Sequence, residues 1–157
     1  MENKSLTERV ARSGRLHIEL FGPDGKKKDE RDIHNLMTNV GEAHIADQLA
    51  SSPDESAMSH MAVGTGTTPP TSANTALEFQ IDRNALTSRT QGAGGDDNDI
   101  IYVGDWAAAD GTGAITEAGI FNSSADGSML ARATFAVINK GAADTLKITW
   151  TVTIGAS

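Results

Sequence analysis

The sequence predicts a mainly β protein: an antiparallel β-sandwich or jelly-roll-like domain with one inserted α-helix and an N-terminal arm. Three observations carry that expectation. The stretch LKITWTVTIG alternates strictly, with Leu146, Ile148, Trp150, Val152 and Ile154 on one face and Lys147, Thr149, Thr151 and Thr153 on the other. Period-2 alternation marks a strand with one face in a core. Roughly eight short strand-like runs are separated by Gly, Pro, Asn, Asp and Ser clusters, the spacing expected of a sandwich. Only one segment, NLMTNVGEAHIADQLASS, reads as a convincing helix.

Residues 1–14 are polar and are predicted as an arm, with a short helix over Leu6–Arg12. Residues 15–157 are predicted as a single β-rich domain. RLHIELF alternates Leu16, Ile18 and Leu20 against His17 and Glu19, so it reads as a half-buried strand. Pro23-Asp24-Gly25 then supplies a turn, because proline presets φ and glycine accepts φ > 0. A returning strand is expected over Lys28–His34. The helix is placed within Thr38–Ser52, capped by Thr38 or Asn39, with Glu42 positioned for a capping box on Asn39. Its packing face is predicted as Val40, Ala43, Ala46, Leu49 and Ala50, and Ser51-Ser52-Pro53 ends it.

MSHMAVGTG reads as a strand entering the loop GTGTTPPTS, and Ala73–Glu78 as a single helical turn. FQIDRNALTSRTQ reads as one longer strand, followed by the loop GAGGDDND. DIIYVGDWAA places Tyr102 and Trp106 on one face and Ile101 and Val103 on the other. TEAGIFN and SMLARATFAVI form a strand pair around the turn Ser123–Gly127, and LKITWTVTIG is the last strand.

Composition limits the function classes. The 157 residues contain no cysteine, which removes disulfides and thiolate chemistry. The first fifteen residues lack the apolar core of a secretory signal, and no apolar run approaches the roughly 20 residues of a membrane span. Net charge is −8, unevenly distributed: residues 1–31 carry eight Lys/Arg and six Asp/Glu, and residues 32–157 carry five and fifteen. An acidic body repels phosphate backbones, so neither nucleic acid nor membrane is expected as a partner.

Candidate chemistry is sparse. GTGTTPP lacks the lysine of a phosphate loop, since no lysine occurs between Lys28 and Lys140. Asp96, Asp97 and Asp99 miss the alternating spacing and closing glutamate of a calcium loop. They read as a solvated acidic loop, with a weak site shared with other loops left open. His17, His34, His44 and His60 form no spaced ligand pair, and no G-x-S-x-G elbow marks a nucleophile. No catalytic residue, metal or cofactor is expected, and the chain is not expected to be an enzyme.

Two charges remain, Glu117 in TEAGIFN and Arg132 in SMLARATF. An exposed cross-strand pair there would contribute about 0.2–1 kcal/mol, and a pair at a subunit boundary would set register and partner choice. Arg83, at the end of A-L-E-F-Q-I-D-R, is expected to join them.

Three stretches together resemble a structural family of tailed bacteriophages: NLMTNVGEAHIADQL; HMAVGTGTTPPTSANTALEFQIDR; and ITEAGIFNSSADGSMLARATF followed by LKITWTVTIG. The resemblance is to capsid decoration (cement) proteins, and it is shared by tail-collar and tail-fibre modules. It implies a virion structural protein, made in the host cytoplasm and placed on the capsid exterior. Such a protein would be a homotrimer that binds the major capsid protein and stabilises the lattice. The alternative it implies is a tail-fibre or tail-collar module in host-surface attachment. A sequence that ends just after its last strand, without heptads or fibre repeats, favours decoration. The candidate capsid or subunit contacts are then Lys4, Arg9 and Arg12 in the arm, with Arg83, Glu117 and Arg132 in the body.

Overall fold

The computed structural model describes residues 12–155, of Arg12 only its backbone. Ten strands and one helix occupy these residues. The strands are β1 (Arg12–Phe21), β2 (Lys27–His34), β3 (Leu36–Met37), β4 (His60–Gly64), β5 (Gln80–Ala85), β6 (Ser88–Gln91), β7 (Asp99–Trp106), β8 (Gly113–Phe121), β9 (Met129–Lys140) and β10 (Thr145–Ile154), and the helix is α1 (Asn39–Gln48). They build two five-stranded antiparallel sheets, ordered β2-β1-β10-β7-β6 and β3-β9-β8-β4-β5. The two sheets enclose one main core, as a β-sandwich requires.

The alternating faces explain the layering. Leu146, Ile148, Trp150 and Val152 of β10 are buried, while Lys147 is exposed and Thr149, Thr151 and Thr153 are half-buried. β10 lies between β1 and β7, with Trp150 in register with Leu16 on one side and Tyr102 on the other. From the second sheet, Ile115, Ala118 and Ile120 of β8 and Ala131 and Ala133 of β9 close the same core. The β1–β2 turn forms as its sequence suggests: Gly25 takes φ +76°, and the Lys26 N–H donates to Asp24 Oδ1 at 3.0 Å.

Several expectations are corrected. β1 begins at Arg12, and Arg12, Ser13 and Gly14 pair with Ile154, Thr153 and Val152. The last three residues assigned to the arm therefore belong to the sheet. The helix expected over Leu6–Arg12 otherwise lies outside the described residues. FQIDRNALTSRTQ is two strands in different sheets, because the chain crosses over at Leu86-Thr87. There the Leu86 N–H bonds Ser59 beside β4, and the Thr87 N–H bonds Val103 of β7. The Ala73–Glu78 segment is not helical: Asn74 closes a turn on Thr71 through both its backbone N–H and its side chain.

The helix has the expected N-terminus but the opposite packing face. Thr38 is its cap, accepting the Gly41 N–H at 2.8 Å and donating to Met129 O at 2.5 Å. The buried helical residues are Gly41 and His44, while Ala43, Ala46 and Ala50 are exposed and Leu49 is 84% exposed. Gly41 decides the face. A Cβ there would lie 2.1 Å from Leu130 O, so only glycine lets the helix backbone rest on β9.

Candidate functional site

Glu117 and Arg132 lie on the outer face of the second sheet. Ala118 and Ile120 point into the core, so alternation turns Glu117 outward, and the same holds for Arg132 between Ala131 and Ala133. Glu117 pairs with Thr134 and Gly119 with Arg132, which makes the two charges diagonal neighbours across the β8–β9 hairpin. On a bare sheet both would be solvated. Instead Glu117 is 0% and Arg132 2% exposed, because the loop from Thr65 to Phe79 folds over them.

The carboxylate organises that loop. Its Oε1 accepts the N–H of Gly66 at 2.9 Å and of Phe79 at 2.7 Å, and its Oε2 accepts the N–H of Glu78 at 3.0 Å. Arg132 completes the shell, with Nε 3.0 Å and Nη2 2.9 Å from the same Oε2. Arg132 Nη1 also donates to Asn74 Oδ1 at 3.1 Å, and Thr116 Oγ1 donates to Gly66 O at 2.8 Å. Both ends of the loop and its middle are thus fastened to one ion pair.

Electrostatics agree with the geometry. Burial by itself pushes the Glu117 carboxyl up, but the N–H groups of Phe79 and Glu78, the Arg132 guanidinium and the Gly66 N–H outweigh it. They hold the group below its ordinary value of 4.5. Successive backbone N–H groups form an anion-binding concavity. In this protein the anion is an internal side chain, so the Gly-Thr loop holds Glu117 where a phosphate loop would hold phosphate. A carboxylate that is ionised, saturated with donors and sealed from water is a structural anchor, with no access as a general acid or base.

The glycines are the sequence signal for this arrangement. A Cβ at Gly64 or at Gly66 would come within 2.5 Å of Glu117 Oε1. The missing partners Asn74 and Glu78 carried no comparable mark, since Asn and Glu in a polar loop read as solvated. Both side chains are buried within the chain, and the surface they shape is the loop above them. That loop ends at Phe79, which is 61% exposed, next to half-exposed Ile81.

Arg83 does not join the pair. From β5 its guanidinium stacks 3.7 Å above the centroid of Phe121, and its Nη1 donates to Ser123 O and Asp126 O. It fastens the β8–β9 turn, where Asp126 and Gly127 take φ of 52° and 75°. Lys4 and Arg9 lie outside the described residues, as does the side chain of Arg12, the first residue of β1.

The other candidates stay apart. His44 is buried against Glu55 at 2.8 Å, His60 bonds Ser59, and His34 is exposed at the end of β2. Asp99 accepts Thr153 Oγ1, and among the described residues the carboxylates of its loop do not converge into a ligand set. A groove of about 350 Å³ lies between α1 and the ends of β6, β7 and β10, lined chiefly by Ile45, Met58, Ile100, Tyr102, Val152 and Ile154. No family model, curated protein or solved structure matches the chain.

Proposed function

We propose that this chain is a virion structural protein of a tailed bacteriophage, a capsid decoration protein that binds the major capsid lattice from outside. A homotrimer is the assembly that the resemblance implies. One observation carries the reading: the first two phage-like stretches and the β8–β9 part of the third meet at one loop platform, while LKITWTVTIG forms β10 at the centre of the other sheet. NLMTN supplies Leu36, in register with Arg132 on β9, and Asn39, whose N–H donates to Ser72 O in the loop at 2.8 Å. GTGTTPPTSANTALEF supplies the loop, and TEAGIF with LARATF supplies the ion pair beneath it. Their polar residues are spent on holding backbone in place, as suits a binding surface displayed on a rigid sandwich. The acidic body suits an outward, solvated position.

The arm supplies the second part of the proposal. Lys4, Arg9 and Arg12 would meet acidic groups on the capsid or on a neighbouring subunit, and a contact of that kind weakens with salt over a screening length of about 8–10 Å. The truncation that tests it ends at Ala11, because Arg12–Gly14 are part of β1. Purified protein is mixed with undecorated expanded heads of the encoding phage and co-sedimented at low and high salt. Full-length protein is expected to pellet with heads, less so at high salt, and protein lacking residues 1–11 to stay folded but pellet weakly. Unchanged binding by the truncated protein removes the arm from the mechanism. No binding by full-length protein at any salt, with binding to tails instead, replaces decoration by the tail-collar reading.

A further inference from the structure

The outer face of the first sheet carries a cluster that the loop platform does not use. His17 and Glu19 are two residues apart on β1 and share its outward face. Across the hairpin, Glu30 is in register with Glu19 and Asp32 with His17. His17 Nε2 lies 3.1 Å from Glu30 Oε1 and 3.7 Å from Glu19 Oε1, and all three donor atoms lie within 4.8 Å of one another.

We propose that His17, Glu19 and Glu30 form a binding site for a divalent transition metal of the zinc type. Around tetrahedral zinc with bonds of 2.0–2.2 Å, neighbouring donors are separated by about 3.3–3.6 Å. The two distances from His17 bracket that edge, so small side-chain shifts suffice to seat an ion. One imidazole with two carboxylates suits zinc better than calcium or magnesium, which prefer all-oxygen shells.

The surroundings orient these donors. Asp32 Oδ1 lies 3.1 Å from His17 Nδ1, so a neutral ring that donates from Nδ1 to this carboxylate turns its Nε2 lone pair toward the glutamates. A carboxylate behind a ligating histidine is the usual outer-shell device. Arg15 in turn holds Asp32 Oδ1 at 2.9 Å. Lys27 Nζ takes the far oxygens, Glu19 Oε2 at 2.9 Å and Glu30 Oε2 at 3.1 Å, so each carboxylate presents Oε1 to the histidine. A tetrahedral ion would have one further position, which water would fill. Bound metal would join the edge strand β2 to β1.

The charges facing the site are Arg15, Lys27, Asp32 and, from β10, Lys147, which is in register with Glu19. The lysines oppose a cation and set the affinity below that of a closed structural zinc site.

The test is calorimetric titration of the full-length protein with zinc chloride at neutral pH, alongside magnesium and calcium. One zinc per chain is expected, with weak or no heat from the other two. His17→Ala and Glu30→Gln should abolish the site. Asp32→Asn, which changes only the positioning of the ring, should weaken it by about 10–100-fold. His34→Ala and His60→Ala should bind as wild type. Tryptophan fluorescence confirms that each variant is folded. Absence of binding at millimolar zinc overturns the proposal, and so does binding that survives His17→Ala in a folded variant.

Discussion

Glu117→Ala is expected to destabilise the protein by about 3–5 kcal/mol, the range for removing one partner of a buried ion pair. The loss has two parts. The Arg132 guanidinium, 2% exposed, keeps its charge without a counter-ion except Glu78 Oε2 at 3.8 Å. The N–H groups of Gly66, Glu78 and Phe79 lose their common acceptor. Equilibrium unfolding in guanidinium, followed by tryptophan fluorescence, measures the total. Amide hydrogen exchange separates a loop effect from a general one, because those three amides should lose protection before the strands of the first sheet do. A midpoint within experimental error of wild type would show that the pair does not hold the loop.

The same carboxylate gives an acid dependence with a definite sign. Its folded pKa lies below the ordinary 4.5, so in that interval the unfolded chain binds more protons than the native one. The stabilisation is complete above the ordinary value and is lost as pH falls through the depressed folded value. Asp32, Asp47 and Asp144 are also held below their ordinary values, Asp144 chiefly by Lys28 and the Gly141 N–H. Wild type therefore has several acid-labile contributions. Glu117→Gln removes one of them, and its stability below pH 4.5 should fall less steeply than that of wild type. Parallel curves for the two proteins would mean that Glu117 does not titrate differently on folding.

The parts of the fold that could be read from sequence are those where a local pattern and the tertiary environment agree. β10 is the clearest case, since period-2 alternation and a two-layer core impose the same face. Thr38 was readable as a cap because capping is decided within four residues. The helix face was misread because hydrophobicity does not select it: Gly41 packs by lacking a side chain, and buried His44 is satisfied by Glu55. The break at Leu86-Thr87 has no turn residue to announce it, and its reason lies in acceptors on Ser59 and Val103. Glu117 and Arg132 were visible as charges out of place on strands. Their burial was not, because the donors that compensate it belong to a loop some 40–50 positions away in sequence. His17 and Glu19 were assigned to an outward face, but the convergence with Glu30 needs the register of the β1–β2 hairpin.

Trp150→Ala is expected to cost about 3–5 kcal/mol, the range for an aromatic side chain deleted from a core. Trp150 is 0% exposed at the centre of the first sheet, with β1 and β7 on either side, and it packs in the cluster that both sheets share. Its replacement leaves a cavity that the flanking strands cannot close without breaking their registers. It also removes a hydrogen bond, because Trp150 Nε1 donates to Asn35 Oδ1 at 3.0 Å. Asn35 joins β2 to β3 and is confined on its other side by Gly14, where a Cβ would lie 1.6 Å from the same oxygen. The tryptophan thus positions the crossing between the two sheets as well as filling the core. Trp150→Phe keeps most of the volume and loses the donor, and a smaller cost of about 1–3 kcal/mol follows from the unsatisfied acceptor. Guanidinium unfolding of both variants, with Trp106 as the remaining fluorescent reporter, orders them. Equal midpoints for Trp150→Ala and wild type would remove Trp150 from the core. Equal losses for the alanine and phenylalanine variants would assign the whole effect to the Asn35 hydrogen bond rather than to packing.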